Sequence, residues 1–188
     1  HDTRENAFSI EVPKGWKISG GAYRLGANNP RFVVDMTSPD GHINLRVGDS
    51  AVPAFTVPQP GAPEGTRYSS GVDWAIVARY LPGKDFAVTY AQGRFRGMCQ
   101  DMHLKSADPL PPMLSPARQV IARTAQGEVV NTTSAGEALF RCVANGQELA
   151  AYVWTETTLT ASSFSAIRNW AVTGLVSLVA PRAQAPQA

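Results

Sequence analysis

Apolar and polar residues alternate in short runs along most of this chain, and helical spacing is confined to the stretch between about 71 and 95. Phe8, Ile10 and Val12 fall on one face of a strand over 8–12, with Ser9 and Glu11 on the other. That strand stops at Pro13 and turns at Lys14-Gly15; Gly20-Gly21 reads as a second turn, with a short returning strand over 22–25. The run Phe32-Val-Val-Asp-Met-Thr37 sits in a strand over 31–38 that ends at Ser38-Pro-Asp-Gly41, where Pro39 presets the turn and Gly41 accepts a positive φ. Over 42–48, Ile43, Leu45 and Val47 alternate with Asn44 and Arg46, which predicts a strand pairing back on its predecessor.

Four prolines over 51–66 predict an extended surface loop. Beyond it, Ser70 suits the cap of a helix over 71–81, with Trp74, Val77, Ala78 and Leu81 on its buried face. Pro82-Gly83 breaks that helix, and a second one follows over 84–94 with Phe86 and Tyr90 leading to Phe95. A strand over 98–105 carries Cys99, a second proline-rich loop runs through 108–113, and the segment onward to Gly127 favours no element. The last third reads as β: strands over 138–143 and 149–157 flank the hairpin turn Asn145-Gly146, and the Val- and Leu-rich 170–180 predicts a central strand buried on both faces. The whole predicts an α+β fold, a twisted antiparallel sheet with one or two helices packed on a face. It also predicts a single domain over 1–180, with 181–188 expected to be a frayed or truncated tail.

Composition narrows the function classes. The net charge is only +2, and thirteen of the seventeen basic residues are scattered arginines with no run of three, so nucleic acid is not an expected partner. The most apolar stretch, 170–180, is half the roughly 20 residues a spanning helix needs; a peripheral membrane contact stays compatible with this. Cys99 and Cys142 form no CxxC pair. They read as a disulfide between distant strands or as two buried thiols, according to compartment. A chain starting at His1 fits a mature exported protein whose signal peptide is gone, or a trimmed one.

The order strand, Pro-x-Gly-Trp turn, hairpin with a Pro-Asp-Gly tip, helix and closing β-meander resembles the PsbP-like family. These are extrinsic lumenal subunits of photosystem II and their bacterial relatives. The likeness rests on Phe8-Ser-Ile-Glu-Val-Pro-Lys-Gly-Trp16, on Val33 to Gly41 and on the strand 42–47. It implies a PsbP-like sandwich and a non-enzymatic accessory role on a larger assembly. The matched residues are structural, and none carries a family function. Family members finish with a helix on the sheet, whereas this sequence runs into a short polar tail after Pro181, which implies either a truncated chain or a sheet face covered differently.

Candidate chemistry is sparse. His42 and His103 lie outside any nucleophile-elbow sequence, though Asp101 alternates with His103 and could orient it. A free His1 could contribute an amine and a ring nitrogen to a copper ion. Glu128, Glu137, Glu148 and Glu156 are acids of the type glycoside cleavage uses, yet their strand positions read as solvent-facing. Asn131-Thr-Thr133 matches a glycosylation acceptor. No cofactor and no metal ligand set is expected, and no enzyme activity. The favoured reading is an extracytoplasmic module that docks on a protein partner through its proline-rich loops, with Phe55, Val57, Leu110 and Met113 as contacts. The alternatives are a small-molecule or lipid pocket between sheet and helices, lined by Trp74, Phe86 and Tyr90, and a small hydrolase or copper enzyme using the histidines.

Overall fold

Eleven strands and one long helix follow one another in the computed structural model, which describes residues 2, 6, 8–24, 30–69 and 74–184. The strands are β1 (Lys17–Arg24), β2 (Pro30–Thr37), β3 (Asn44–Val47), β4 (Ala54–Thr56), β5 (Arg67–Ser69) and β6 (Trp74–Val77) before the helix. After α1 (Gly83–Phe95) come β7 (Gln100–Leu110), β8 (Arg118–Thr124), β9 (Gly127–Ala144), β10 (Gln147–Ser162) and β11 (Ser165–Pro181).

The last three strands, of 18, 16 and 17 residues, are the spine of one sheet curled into a half-barrel. The Asn145-Gly146 turn, with φ of 51° and 78°, joins β9 to β10 as a two-residue hairpin. Each flank of the spine is divided between two partners. Along β9, the C-terminal part pairs with β7 and the N-terminal part with β8. Along β11, Val176–Val179 pair with β3, followed by β2 and β1, while Asn169 and Trp170 pair with β4, which leads to β6 and β5. Every pairing is antiparallel except β4 with β6.

Strands take up 59% of the described residues and helices 9%, so the chain is mostly β and not the α+β sandwich with helices on a face that the hydrophobic spacing predicts. The expected helix over 71–81 is overturned where it is described: Trp74–Val77 is a strand sandwiched between β4 and β5, and residues 70–73 lie outside the described part. Cross-strand pairing there prevails over a helical spacing of only four apolar positions. Nor do residues 8–12 form a strand. Phe8 instead packs on Phe32 of β2 with ring centroids 5.5 Å apart. Gly20 and Gly21 continue β1 instead of ending it, because a Cβ on Gly20 would meet the Val33 carbonyl oxygen at 2.0 Å. The hairpin of β2 and β3 and the helix over 84–94 match the sequence expectation to within a few residues.

Helix α1 lies against β9, β10 and β7. Its Ala87, Ala91 and Phe95 bury themselves among Ala138 and Phe140 of β9 and Ala151 and Val153 of β10. Close approach is made by two glycines: a Cβ on Gly136 would meet the Lys84 backbone nitrogen at 2.4 Å, and one on Gly83 would meet Ala135 at 2.6 Å. Beside this cluster a disulfide joins Cys99 to Cys142, with 5.4 Å between the Cα atoms. No helix among the described residues is long and apolar enough to cross a membrane.

Candidate functional site

Alternation along β10 gives the sheet two different faces. Ala151, Val153, Thr155 and Thr157 point toward the helix: the Thr155 hydroxyl donates to the Gly83 carbonyl at 2.7 Å and the Thr157 hydroxyl to that of Leu81 at 3.0 Å. Trp154, Glu156, Thr158 and Thr160 point the other way.

The helix side is filled. Phe55 stacks on Trp170 at 4.0 Å, Phe86 meets Trp170 edge-on at 6.0 Å, and the Trp170 indole donates to the Ala78 carbonyl at 3.0 Å. Phe55 and Val57 therefore pack in this cluster and not at the tip of a loop. Phe86 stacks on Tyr90 at 6.2 Å, but Trp74 stands apart on β6, with the Arg67 guanidinium 4.8 Å over its ring. The structure does not bring these three rings together, and neither Phe86 nor Tyr90 lines a cavity described below. Tyr90 instead donates its hydroxyl to Asp49 at 2.7 Å, and Arg46 ties Asp49 (3.0 Å) to Asp35 of β2 (2.7 Å). Burial and the Asp49 carboxylate push the Tyr90 phenol up. Burial alone would raise Asp49, but Tyr90, the Ala51 amide and Arg46 outweigh it and hold that carboxyl low.

The opposite face holds what sequence reasoning missed. Glu156, expected to face solvent, is fully buried. Its Oε2 accepts from the backbone amides of Met113 at 2.8 Å and Leu114 at 2.9 Å, in the proline-rich segment between β7 and β8. That segment therefore crosses over the sheet and is pinned to it, with Leu114 lying against Gly174, where a Cβ would come within 2.7 Å of both Leu114 and the Trp154 ring. Held this way, Met113 and Leu114 remain 69% and 63% exposed. Leu110, at the end of β7, is half-buried. Glu156 Oε1 and the Trp154 indole nitrogen are buried without a hydrogen-bond partner among the described residues. A legible signal existed: Trp154 stands two positions from Glu156 on the same face, and a tryptophan there argues against a solvated one.

Two further hollows open on this face. One, of about 420 Å³, lies between the spine and the β5–β6 pair and is lined by Asn131, Thr158, Thr160, Asn169, Tyr68 and Trp74 among others. The second, of about 450 Å³, fills the break along β11 between β3 and β4, where Phe32, Asp49, Val52 and Thr173 line it. At that break β11 carries an extra residue, Thr173, whose hydroxyl donates to the Glu156 carbonyl at 3.2 Å. An apolar hollow of about 500 Å³ lies between Phe8 and Ile10 and the strands β1 and β2.

The remaining candidates disperse. His42 is exposed, 3.5 Å from Asp40, whose carboxyl the Ser38 hydroxyl and the His42 amide hold low. His103 is exposed on β7 opposite Arg141, and His1 lies outside the described residues. Glu128 pairs with Arg123 at 3.0 Å, Glu148 with Arg182 at 2.7 Å, and Glu137 accepts from Tyr152 at 2.5 Å. Among the described residues no three His, Cys, Asp or Glu side chains converge on a metal position. No protein-family model matches the chain, and neither a curated protein nor a solved structure matches it.

Proposed function

We propose that this protein is an extracytoplasmic, non-enzymatic binding module that docks on a larger protein assembly through the proline-rich segment between β7 and β8. One observation carries the reading: Met113 and Leu114, two large apolar side chains, stand 69% and 63% exposed on a segment whose backbone is fixed by a buried carboxylate. Exposed apolar groups on a pre-ordered backbone lose little entropy on binding, which is what a contact site needs. The Cys99–Cys142 disulfide suits an oxidising compartment, and an accessory role accords with the PsbP-like resemblance of the opening residues. Phe55 and Val57 pack in the cluster that holds Trp170 and are not assigned contacts.

The test is photo-cross-linking in the native cell with a photoreactive residue at position 113. A single adduct of defined mass, lost when Met113→Glu and Leu114→Glu are combined with the probe moved to Pro112, is the expected result. A chain that stays uncross-linked at 113 while cross-linking from a remote position such as Lys14 contradicts the reading.

A further inference from the structure

We infer that the hollow between the spine and the β5–β6 pair is a binding site for a neutral oligosaccharide. Its floor is built of side chains that leave donors facing the cavity. The Thr160 hydroxyl donates to the Asn131 side-chain carbonyl at 2.8 Å, and the Thr56 hydroxyl donates to that of Asn169 at 2.9 Å. Each asparagine thus has its oxygen occupied from within, and neither amide nitrogen has a partner among the described residues. Two N–H₂ groups are left with their donors toward the hollow they line.

The register sets their separation. Thr160 pairs with Asn131 on one side and with Asn169 on the other, so the two amides stand two strand spacings apart, about 10 Å. That span suits two linked sugar rings better than one. Two residues along β10 on the same face, Thr158 joins Thr133 at 3.1 Å and Thr173 at 3.3 Å in a chain of hydroxyls, groups that both donate and accept, as sugar hydroxyls do.

The wall supplies the other half of sugar recognition. Tyr68, paired with Ala75, faces the hollow on the side of Thr56, while the Trp74 ring shares the face of Ile76 and Phe55 and lies under the Arg67 guanidinium at 4.8 Å. An aromatic surface of this kind takes the apolar C–H face of a pyranose while the polar floor takes its hydroxyls.

A neutral ligand suits this lining: among the described residues none that line the hollow is charged. A purely apolar ligand would leave both asparagine amides buried and unpaired. This site is separate from Met113 and Leu114, and its test is independent of the docking reading.

Isothermal titration of the full chain with maltohexaose, cellohexaose and chitohexaose is the experiment. At least one of the three binds saturably, and the affinity falls about tenfold or more both in the combined Asn131→Asp, Asn169→Asp variant and in Tyr68→Ala. Asparagine to aspartate keeps the oxygen that accepts from each threonine and exchanges the donors for a charged acceptor oxygen; an unchanged thermal melt, and the same loss of binding in Asn131→Ala with Asn169→Ala, show that the missing donors are the cause. Met113→Glu leaves sugar binding intact. The inference is overturned if no neutral hexasaccharide binds, if binding is indifferent to these substitutions, or if only heparin or a proline-rich peptide is bound.

Discussion

The two faces of β10 are closed by different physics. Toward the helix, Ala151 and Val153 meet Ala87, Ala91 and Phe95 in a dry cluster where volume is the constraint. Away from it, a fully buried Glu156 holds a crossing segment by two backbone hydrogen bonds, beside a ladder of threonines and asparagines. The first closure is non-directional and tolerates little change in volume. The second is directional, leaves hollows open, and keeps apolar side chains in solvent. A face of the first kind holds a fold together, whereas one of the second kind is available for recognition.

Breaking the helix face produces the largest effects. Phe95→Ala removes a ring that is 2% exposed and is expected to cost about 3–5 kcal/mol in urea unfolding. Serine at both Cys99 and Cys142 removes a cross-link between residues 43 apart and is expected to cost about 2–4 kcal/mol, read in the same titration.

The opposite face responds differently. Glu156→Ala strips two backbone donors of their acceptor and is expected to cost about 2 kcal/mol, with Glu156→Gln, which keeps one, costing less. Met113→Glu, at an exposed position, leaves stability unchanged. A loss from Met113→Glu as large as that from Glu156→Ala would erase the distinction between the faces.

The smallest effect lies in pH. Asp49 has a carboxyl held below its ordinary range, so its contribution is present above that range and is lost as pH falls through the lowered value. Tyr90 runs in the opposite sense. With its phenol raised, its contribution is complete below about pH 10 and is lost as pH rises further. Unfolding free energy should be flat at neutral pH and fall at both ends. Tyr90→Phe should cost about 1 kcal/mol at neutral pH and shrink the alkaline fall.

What could be read from the chain follows the range of the interactions. The β2–β3 hairpin, the Asn145-Gly146 turn and α1 are decided by neighbours in sequence, and each is where its residues predict. The central strand expected over 170–180 is the C-terminal two-thirds of β11. The polar extension of β10 through Thr158–Ser162 was not legible, because threonines and serines become strand only when β9 and β11 run beside them. Trp74–Val77 likewise takes its form from β4, some twenty residues earlier. Of the candidate contacts, Met113 stands exposed where its proline-rich surroundings suggested, whereas Phe55 does not, since its stacking partner Trp170 is over a hundred residues away. Glu156 was read as solvent-facing because alternation assigns a face but not what crosses it, and the segment that covers it lies more than forty residues earlier.

Native-state hydrogen exchange at the Met113 and Leu114 amides tests this account most directly. Although their side chains are in solvent, both amides should exchange as slowly as those in the middle of β10, and Glu156→Ala should release both while the β10 amides stay protected. Fast exchange at these two positions in the unaltered protein would contradict it, for the segment would then be a loose loop and not a fixed platform.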